Sequence, residues 1–511
     1  MDNETNGPSP RGDTGEQPAG ALDRLVRMLG ADTLRYIPSA IIPAGISVAS
    51  VSIFTRVFDS VEYGRYALVM STAVIAVMLL SGWIGQSVLR YLPRFRAEHR
   101  MGEFIGKLNV VLSGVVLAVT LVFLASRGIL ASRMDAYAPF LLPAWLLIVA
   151  ESIFISYGAL YQADLRSKDY TVFKISASVL RLVLALLYVL YVSRDIVALV
   201  LAAAVANIVL IVPMVVRLSK PVKPRTLWGS LDAGFLKMLA AYGLPMMGWL
   251  IASQILGLSD RFIIAAFRGD SEVGIYSANY NLVSRGFGLV SGPILTACYP
   301  IIMSAWENGH RETIPGLIAT FSRYYLLAVL PIVLCLAVFS RELVSILLGS
   351  DFREGHTIIP FILAGVAAWG LSMVGHKGLE IMEKTRVMLR LVVIAAGLNI
   401  LLNFIFVPRY GYQGAAVTTF ASYLSYPLMV WWVSRRNIRW YVAGRTVANL
   451  VVSALVTTAV LIGVRALLVG RIAVGLAIPA GVLLAVLAYV GTLLLLREVG
   501  ADELKMLGRQ R

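Results

Sequence analysis

The chain has 511 residues, of which 58% are hydrophobic and 14% are charged, and its formal net charge is +16 at pH 7. Apolar runs long enough to cross a bilayer, about 20 residues each, recur along its whole length. This composition excludes a soluble globular protein, and the lack of alternating apolar and polar residues excludes membrane β-strands. The sequence therefore predicts an all-α polytopic membrane protein.

The predicted elements begin after a polar N-terminal stretch. Residues 1–33 start with an acidic segment rich in glycine and proline, and they lack the basic beginning of a cleavable signal. We interpret them as a disordered cytoplasmic tail. About 14 transmembrane helices follow, predicted at 37–57, 66–89, 104–125, 139–161, 171–192, 195–216, 240–264, 275–303, 322–347, 357–380, 387–407, 413–433, 446–466 and 473–496.

A basic segment marks the predicted division between two lobes. It contains the phrase Lys-Pro-Val-Lys-Pro-Arg, beginning at Lys220. The cysteines Cys298 and Cys335 lie inside apolar runs, so we predict no disulfide and no metal site. The predicted segments are an N-lobe at 34–218, a cytoplasmic linker at 219–238, a C-lobe at 239–435, helices 13 and 14 within 436–497, and a C-terminal cytoplasmic tail at 498–511.

Lysine and arginine are distributed unevenly between the two sides of the predicted topology. They are concentrated in the N-terminal tail and in alternate loops, including the segments 90–100 and 217–225. By the positive-inside rule this side, which carries both termini, is cytoplasmic. The high net charge is therefore interpreted as a topology signal, and no nucleic-acid partner is predicted.

A phrase near the middle of the chain occurs twice. It runs from Asp260-Arg261 through a short polar turn to Gly274-Ile275-Tyr276, and its echo runs from Arg56 to Tyr66. A further match, separated along the sequence by nearly the same number of residues as the phrase and its echo, pairs Val192–Arg194 with Val407–Arg409. These matches indicate a duplicated half of six helices. Because six is even, both copies enter the membrane in the same direction, and such parallel repeats usually enclose the substrate pathway.

Several motifs carry a family resemblance over roughly residues 34–435. They are Tyr242-Gly243-Leu244-Pro245, Ser259-Asp260-Arg261, Val273 to Ser277, and Asn399 to Ala416. The chain resembles the bacterial polysaccharide and O-antigen flippases of the multidrug/oligosaccharidyl-lipid/polysaccharide exporter superfamily. The resemblance implies two six-helix lobes arranged as a V, alternating access, and an undecaprenyl-pyrophosphate-linked oligosaccharide as cargo. It also implies a bacterial inner (plasma) membrane location.

Polar residues inside apolar spans are the candidate site. An arginine at mid-bilayer costs roughly 2.5–3.5 kcal/mol on insertion scales, so it normally faces a wet cavity or a partner. Guanidinium groups pair bidentately with phosphate oxygens, and we expect Arg181 and Arg285 to hold a pyrophosphate, with Arg56 and Arg261 at the outer mouth. The other candidate substrate-binding residues are Lys174, Gln254, Asn281, Asn399 and Asn403.

Each candidate has an alternative structural interpretation. Arg181 could pair with Glu151, and Arg261 with Asp260, while arginines near a helix end can extend to the interface. Glu151 and Asp260 are also candidates for coupling transport to a proton or cation. Asn399 and Asn403 could bridge helices instead of contacting sugar.

Other function classes are less well supported by the residues. No Gly-x-x-x-x-Gly-Lys-Ser/Thr loop occurs, so no ATP hydrolysis is predicted. We also predict no enzymatic activity and no cofactor. A polysaccharide polymerase or glycosyltransferase would need larger outer loops. The nearer alternatives are a peptidoglycan-precursor flippase, which also has 14 helices, and a multidrug exporter, which usually has 12. The predicted partners are the lipid-linked oligosaccharide and membrane lipid, with a polysaccharide polymerase or chain-length regulator as a further candidate, and the protein is expected to be a monomer.

Overall fold

The computed structural model describes residues 37–219, 232–469, 471 and 474–499. The predicted tail at 1–33, most of the linker at 219–238, and the C-terminal tail beyond residue 499 lie outside the described residues. The helices of the described part are α1 (Ile37–Val57), α2 (Ser60–Val77), α3 (Trp83–Ala97), α4 (Met101–Arg133), α5 (Leu141–Ala163), α6 (Ser167–Tyr191), α7 (Val197–Ser219), α8 (Ala233–Arg268), α9 (Asp270–Glu307), α10 (Ile314–Val338), α11 (Ser340–Leu347), α12 (Ile359–Gly375), α13 (Lys377–Ile381), α14 (Thr385–Ser434), α15 (Gly444–Leu468) and α16 (Val474–Leu495).

The predicted all-α polytopic architecture is confirmed. The described residues contain 13 helical segments long and apolar enough to cross a membrane, and no strand. One of these segments, α14, has 50 residues, about 75 Å at the helical rise, which is far more than a bilayer core needs. It is interrupted at Gly411, so it supplies two of the predicted spans and brings the total to the 14 expected.

The interruption in α14 is a reversal of the chain. Gly411 has φ +56° and ψ −143°, a backbone conformation that glycine adopts without a Cβ clash. The Thr418 hydroxyl donates to the Asn403 side-chain oxygen at 2.5 Å, although a continuous helix would separate these residues by about 22 Å. The two parts of α14 therefore lie side by side, and Pro408 together with Gly411 is the sequence signal for the break.

Helix starts follow local capping. Asp59 caps α2 by accepting from the backbone N–H of Glu62, whose carboxylate accepts from the Asp59 N–H in return. Asp232 caps α8 by accepting from the N–H groups of Gly234 and Phe235. This cap explains why α8 begins at Ala233, seven residues before the predicted start of that span.

The two ends of the bundle differ in charge. We call the end formed by loops 98–100, 164–166, 308–313, 382–384 and 435–443 the basic end, because each of these loops carries arginine or lysine. The other end is called the opposite end. A π-helical turn at Met78–Gly82 joins α2 to α3 between the two ends, and α2, this turn and α3 form one span.

The two halves of the chain contact each other at both ends, but on different flanks. At the opposite end, α2 packs on α9, and one large buried apolar cluster includes residues of both halves, among them Tyr63 and Tyr276. At the basic end, α3 packs on α8, where the Ser87 hydroxyl donates to the Leu239 carbonyl at 2.7 Å. Between these contacts a cavity lies open.

Candidate binding cavity

A cavity of about 590 Å³ lies on the first half of the chain, in the membrane-spanning region. It is walled by α2, the π-helical turn, α3, α5 and α6, and by Leu250 and Gln254 of α8. Its charged lining residues are Glu151, Lys174 and Arg181. The sequence-predicted residues Lys174, Arg181, Gln254 and Glu151 therefore share one cavity.

A second cavity of about 460 Å³ adjoins the first and leads toward the basic end. The two share Leu89, Gln162, Tyr170 and Lys174 as lining residues. The second is also lined by the start of α1, at Ser39 and Ala40, and by α9. The combined space therefore extends toward the basic end, between α1 and α9.

Arg181 is paired within the cavity wall. Its Nη2 donates to Glu151 Oε2 at 2.5 Å and to Asn207 Oδ1 at 2.8 Å. Asn207 Nδ2 donates to the same Glu151 oxygen at 2.5 Å. The Arg181 and Glu151 side chains keep exposures of 34% and 23%, so both face the cavity, whereas the Nε of Arg181 is buried without a partner.

Lys174 lies on the same helix as Arg181 and nearer the basic end. The seven residues between them correspond to about 10 Å along α6. Its ammonium is 5.6 Å from the centre of the Tyr170 ring, and among the described residues it forms no ion pair with a carboxylate. Lys174 is thus the first cation met on the way from the basic end to Arg181.

Arg285 and Arg261 lie near a group of tyrosines, and neither is among the residues that line the two cavities. Arg285 is exposed and pairs with no carboxylate in the described part of the chain, and Tyr66 is within electrostatic range of both Arg285 and Arg181. Arg261 is 3% exposed, and its guanidinium stacks 5.0 Å from the centre of the Tyr280 ring. Arg181 and Arg285 therefore lie near the same tyrosine, and we call Lys174, Arg181 and Arg285 the cation series.

Asp260 is not paired with Arg261. It is fully buried, and its carboxylate accepts from Tyr276 at 2.6 Å, Thr419 at 2.5 Å and Asn403 at 2.7 Å. Asn399 is also fully buried, and its Oδ1 accepts from the Asn403 side chain at 3.0 Å. The structure places Asp260, Asn399 and Asn403 in a network that joins α8 to both parts of α14, behind the cavity wall.

The remaining candidates lie toward the opposite end. Arg56 is exposed and donates to the carbonyl of Ile346, so it joins α1 to α11. Asn281 lies on α9, half-buried, and interacts with the Tyr63 hydroxyl. Neither Arg56 nor Asn281 is among the residues that line the two cavities.

The cavity is closed at the opposite end by the repeated phrase itself. Gly64 of α2 and Gly274 of α9, which occupy equivalent positions in the two copies, face each other. A Cβ at Gly64 would lie 2.7 Å from the carbonyl carbon of Asp270, and one at Gly274 would lie 2.8 Å from that of Ser60. Only glycine permits this backbone approach.

Polar contacts flank the two glycines. Asp270 accepts from the Arg65 side chain at 3.1 Å and from the Tyr137 hydroxyl at 2.6 Å. The hydroxyls of Ser60 and Ser271 are 2.7 Å apart. Each of these contacts joins the two halves of the chain, so together with the glycines they form what we call the outer clasp.

Several of these residues were not predicted from the sequence. Asn207 was the main omission among the cavity residues, and its only signal was a single amide within the long apolar run of α7. The role of Asp270 and Tyr137 depends on contacts between distant segments and had no local signal. Among the described residues, no group of three or more His, Cys, Asp or Glu side chains could hold a metal ion.

Comparison with known proteins gives a family and a fold. The family model described as "Polysaccharide biosynthesis protein" matches residues 29–306, and the MatE model matches residues 245–405. An uncharacterised membrane protein of Methanocaldococcus jannaschii is 22% identical over 75% of this chain and 79% of its own length.

Two further relatives have names that state a function. A probable low-salt glycan biosynthesis flippase of Haloferax volcanii is 24% identical over 32% of this chain and 34% of its own length. A probable lipid II flippase of Vibrio cholerae is 24% identical over 47% of this chain and 48% of its own length. The chain thus matches half or less of the length of each of these two relatives.

Solved structures match along most of the chain. A structure of the lipid II flippase MurJ in an inward closed conformation has a TM-score of 0.70 at 14% identity, covering 90% of this chain and 98% of that one. An inward-facing multidrug resistance MATE family transporter of the MOP superfamily has a TM-score of 0.62 at 13% identity, covering 82% and 98%. At these identities the matches establish the fold.

Proposed function

Since the chain belongs to the polysaccharide biosynthesis protein family of the multidrug/oligosaccharidyl-lipid/polysaccharide exporter superfamily, we propose that it is a flippase. Its substrate is a polyprenyl-pyrophosphate-linked oligosaccharide, moved from the cytoplasmic to the outer leaflet of the bacterial inner membrane by alternating access. The basic end is cytoplasmic. The observation that carries the proposal is a cation-lined cavity within the membrane that extends toward the basic end and is closed at the opposite end.

The cation series fits the charged part of such a substrate. Lys174 receives the pyrophosphate at the basic end, and Arg181 and Arg285 then hold it through their planar donors. Because the space opens between α1 and α9, the polyprenyl chain remains in the hydrocarbon while the head group is inside. Gln254 of the cavity wall, together with Asn281, supplies amide groups for the sugar hydroxyls.

In each transport cycle the outer clasp opens to release the substrate. It closes again when the empty site returns to the basic end. With the clasp closed, as here, the cavity has no exit through the opposite end, and its lining extends toward the basic end. Opening of the clasp, with closure between α1 and α9, exposes the head group to the other side. Arg56 and Arg261 lie next to that exit.

The membrane potential favours this direction of transport. Moving one negative charge outward across 100 mV of inside-negative potential is favourable by roughly 2.3 kcal/mol. Coupling to a proton or sodium ion through Glu151 or Asp260 is the alternative drive. Measuring flipping in vesicles with an imposed potential and no ion gradient distinguishes the two.

A peptidoglycan-precursor flippase is the second candidate, because two of the proteins compared above are lipid II flippases. Both substrates carry a polyprenyl pyrophosphate, so the cation series accommodates either of them. The head groups differ, since the peptidoglycan precursor carries a peptide. Flipping of the two lipids by the same vesicles therefore separates the candidates.

Reconstituted vesicles test the proposal. The full-length protein is inserted together with a fluorescent polyprenyl-pyrophosphate oligosaccharide, and the fraction accessible to an external quencher is followed over time. We expect Arg181→Ala and Arg285→Ala each to lower the flipping rate at least tenfold, and Arg181→Lys to restore part of it because the charge remains. Arg436→Ala, at an exposed arginine of the basic end, is the control and leaves the rate unchanged. Normal flipping by both Arg181→Ala and Arg285→Ala would refute the assignment.

A further inference from the structure

Glu151 is paired with Arg181, the arginine that we propose holds the substrate's pyrophosphate. One carboxylate oxygen of Glu151 accepts both from Arg181 Nη2 and from Asn207 Nδ2, each at 2.5 Å. The second hydrogen of the same guanidinium nitrogen goes to Asn207 Oδ1 at 2.8 Å. Nη2 is therefore fully used, while Nε has no partner. An arginine poised for a pyrophosphate is thus already neutralised by an internal anion.

Asn207 holds the Glu151 carboxylate in place by a hydrogen bond. It lies on α7, is fully buried, and contacts both members of the pair. Glu151 on α5 and Arg181 on α6 are both bonded to Asn207, and the longer Arg181 side chain has more rotamers through which it can turn toward a ligand. A pyrophosphate entering the cavity meets a guanidinium that can turn toward it and a carboxylate that stays in place.

The charge of the cavity follows from this arrangement. The larger cavity is lined by two cations, Lys174 and Arg181, and by one anion, Glu151. A bound pyrophosphate must share Arg181 with Glu151 and tolerate the nearby negative charge. The pair therefore weakens binding in the cavity, and a transported ligand must bind firmly enough to enter and weakly enough to leave.

We propose that Glu151 is a built-in competitor of the substrate's pyrophosphate for Arg181, held in place by Asn207, and that this competition sets the rate of substrate release. The inference rests on the proposed function, since it concerns the same anionic lipid and the same cavity. Glu151 and Asn207 are positioning residues in this scheme, because they act through Arg181. They do not hold the substrate themselves.

Binding to the purified full-length protein is the first test, with geranylgeranyl pyrophosphate as the probe. Glu151→Gln retains the shape of the side chain and one acceptor oxygen, and it removes the charge. We expect it to bind the probe on the order of tenfold more tightly than the wild type, as removal of a competing ion-pair partner predicts. The gain must disappear in the double variant Glu151→Gln/Arg181→Ala, whose affinity should equal that of Arg181→Ala alone.

Flipping kinetics separate competition from a structural role. Because release is slowed when the competitor is neutral, Glu151→Gln should lower KM and kcat together. Asn207→Ala, which frees Glu151 from its anchor, should shift KM in the same direction by a smaller factor. Glu342→Gln is the matched control and should change neither constant. Glu342 is a buried glutamate that does not line the cavity, and its Oε1 lies 2.9 Å from Arg465 Nε.

The outcomes distinguish this inference from the function on which it rests. If Arg181→Ala weakens binding but Glu151→Gln binds no more tightly than the wild type, Glu151 is not a competitor and the inference is wrong. A lower melting temperature with unchanged or raised KM in both Glu151→Gln and Asn207→Ala would also overturn it. If the wild type and all variants fail to bind the probe, the proposed function fails and the inference fails with it.

Discussion

The contact between Gly64 and Gly274 predicts how the protein can be held open at the opposite end. The change is Gly64→Ala, which adds one methyl group at the closest approach of the two halves. That carbon would lie 2.7 Å from the carbonyl carbon of Asp270 and 3.0 Å from the backbone nitrogen of Gly274. The carbonyl oxygen of Asp270 would lie closer still. Because carbon atoms in contact prefer about 3.5–4.0 Å, α2 and α9 must separate by more than about 1 Å.

This separation weakens the other contacts of the outer clasp. The bond between Arg65 and Asp270 at 3.1 Å would lengthen beyond hydrogen-bonding distance. Overpacking of this kind costs about 1–3 kcal/mol, which corresponds to a shift of about 5- to 150-fold in the equilibrium between closed and open forms. Because the change destabilises only the closed form, it should favour opening at this end and slow the transport cycle.

Spin labels on the two halves measure the opening. Both native cysteines are replaced by serine, and labels are attached at the exposed positions Arg133 and Arg353, which lie at the opposite end on different halves. We expect Gly64→Ala to add a longer component to the distance distribution. Gly286→Ala is the control, because it is the same change at a helical glycine of α9 with open space around it. An unchanged distribution with normal flipping in Gly64→Ala would refute the reasoning.

Three further predictions concern the network around α14 and the end of α16. Gly411→Ala should lower the melting temperature by the equivalent of about 1–3 kcal/mol, because its backbone has a positive φ and Glu272 occupies the added methyl's space; an unchanged melting temperature would contradict the strained reversal. Asp260→Asn should cost about 1–3 kcal/mol in unfolding free energy, since an amide cannot accept from all three donors. If Asp260 binds the coupling ion, the flipping rate of this variant should no longer respond to a sodium or proton gradient. Burial raises the pKa of Glu498, but hydrogen bonds from Thr446 and Asn449 and the Arg323 charge outweigh burial and lower it below its ordinary 4.5. The stabilisation is therefore complete above pH 4.5 and is lost as the pH falls through the folded-state pKa. The protection of α15 amides, measured against their intrinsic exchange rates at each pH, should therefore decrease on acidification in the wild type and not in Glu498→Gln.

Hydropathy and repeated phrases were sufficient to predict the fold. Each apolar run exceeds the length that a bilayer demands, so the spans are a local property of the sequence. The break at Gly411 was also local, because Pro408 and a glycine mark it. Even the alignment of the two halves at Gly64 and Gly274 was implied by the repeated phrase, although their direct contact was not.

The site was less predictable, because its residues act through partners on other helices. Arg181 and Glu151 were recognisable as charges within apolar spans, and their pairing was one of two interpretations. Asn207 completes that group only because α5, α6 and α7 pack together, and no spacing in the sequence relates the three helices. Asn403 illustrates the converse, since its position one turn from Asn399 suggested a cavity lining, whereas folding at Gly411 directs it toward Asp260.

The most direct test of the account is a structure of the full-length protein with a bound polyprenyl-pyrophosphate oligosaccharide in a lipid bilayer. The account predicts the pyrophosphate in the cavity, with its oxygens within hydrogen-bonding distance of Arg181 or Arg285 and the polyprenyl chain leaving between α1 and α9. A head group bound elsewhere, with neither guanidinium in contact with a phosphate, would contradict it.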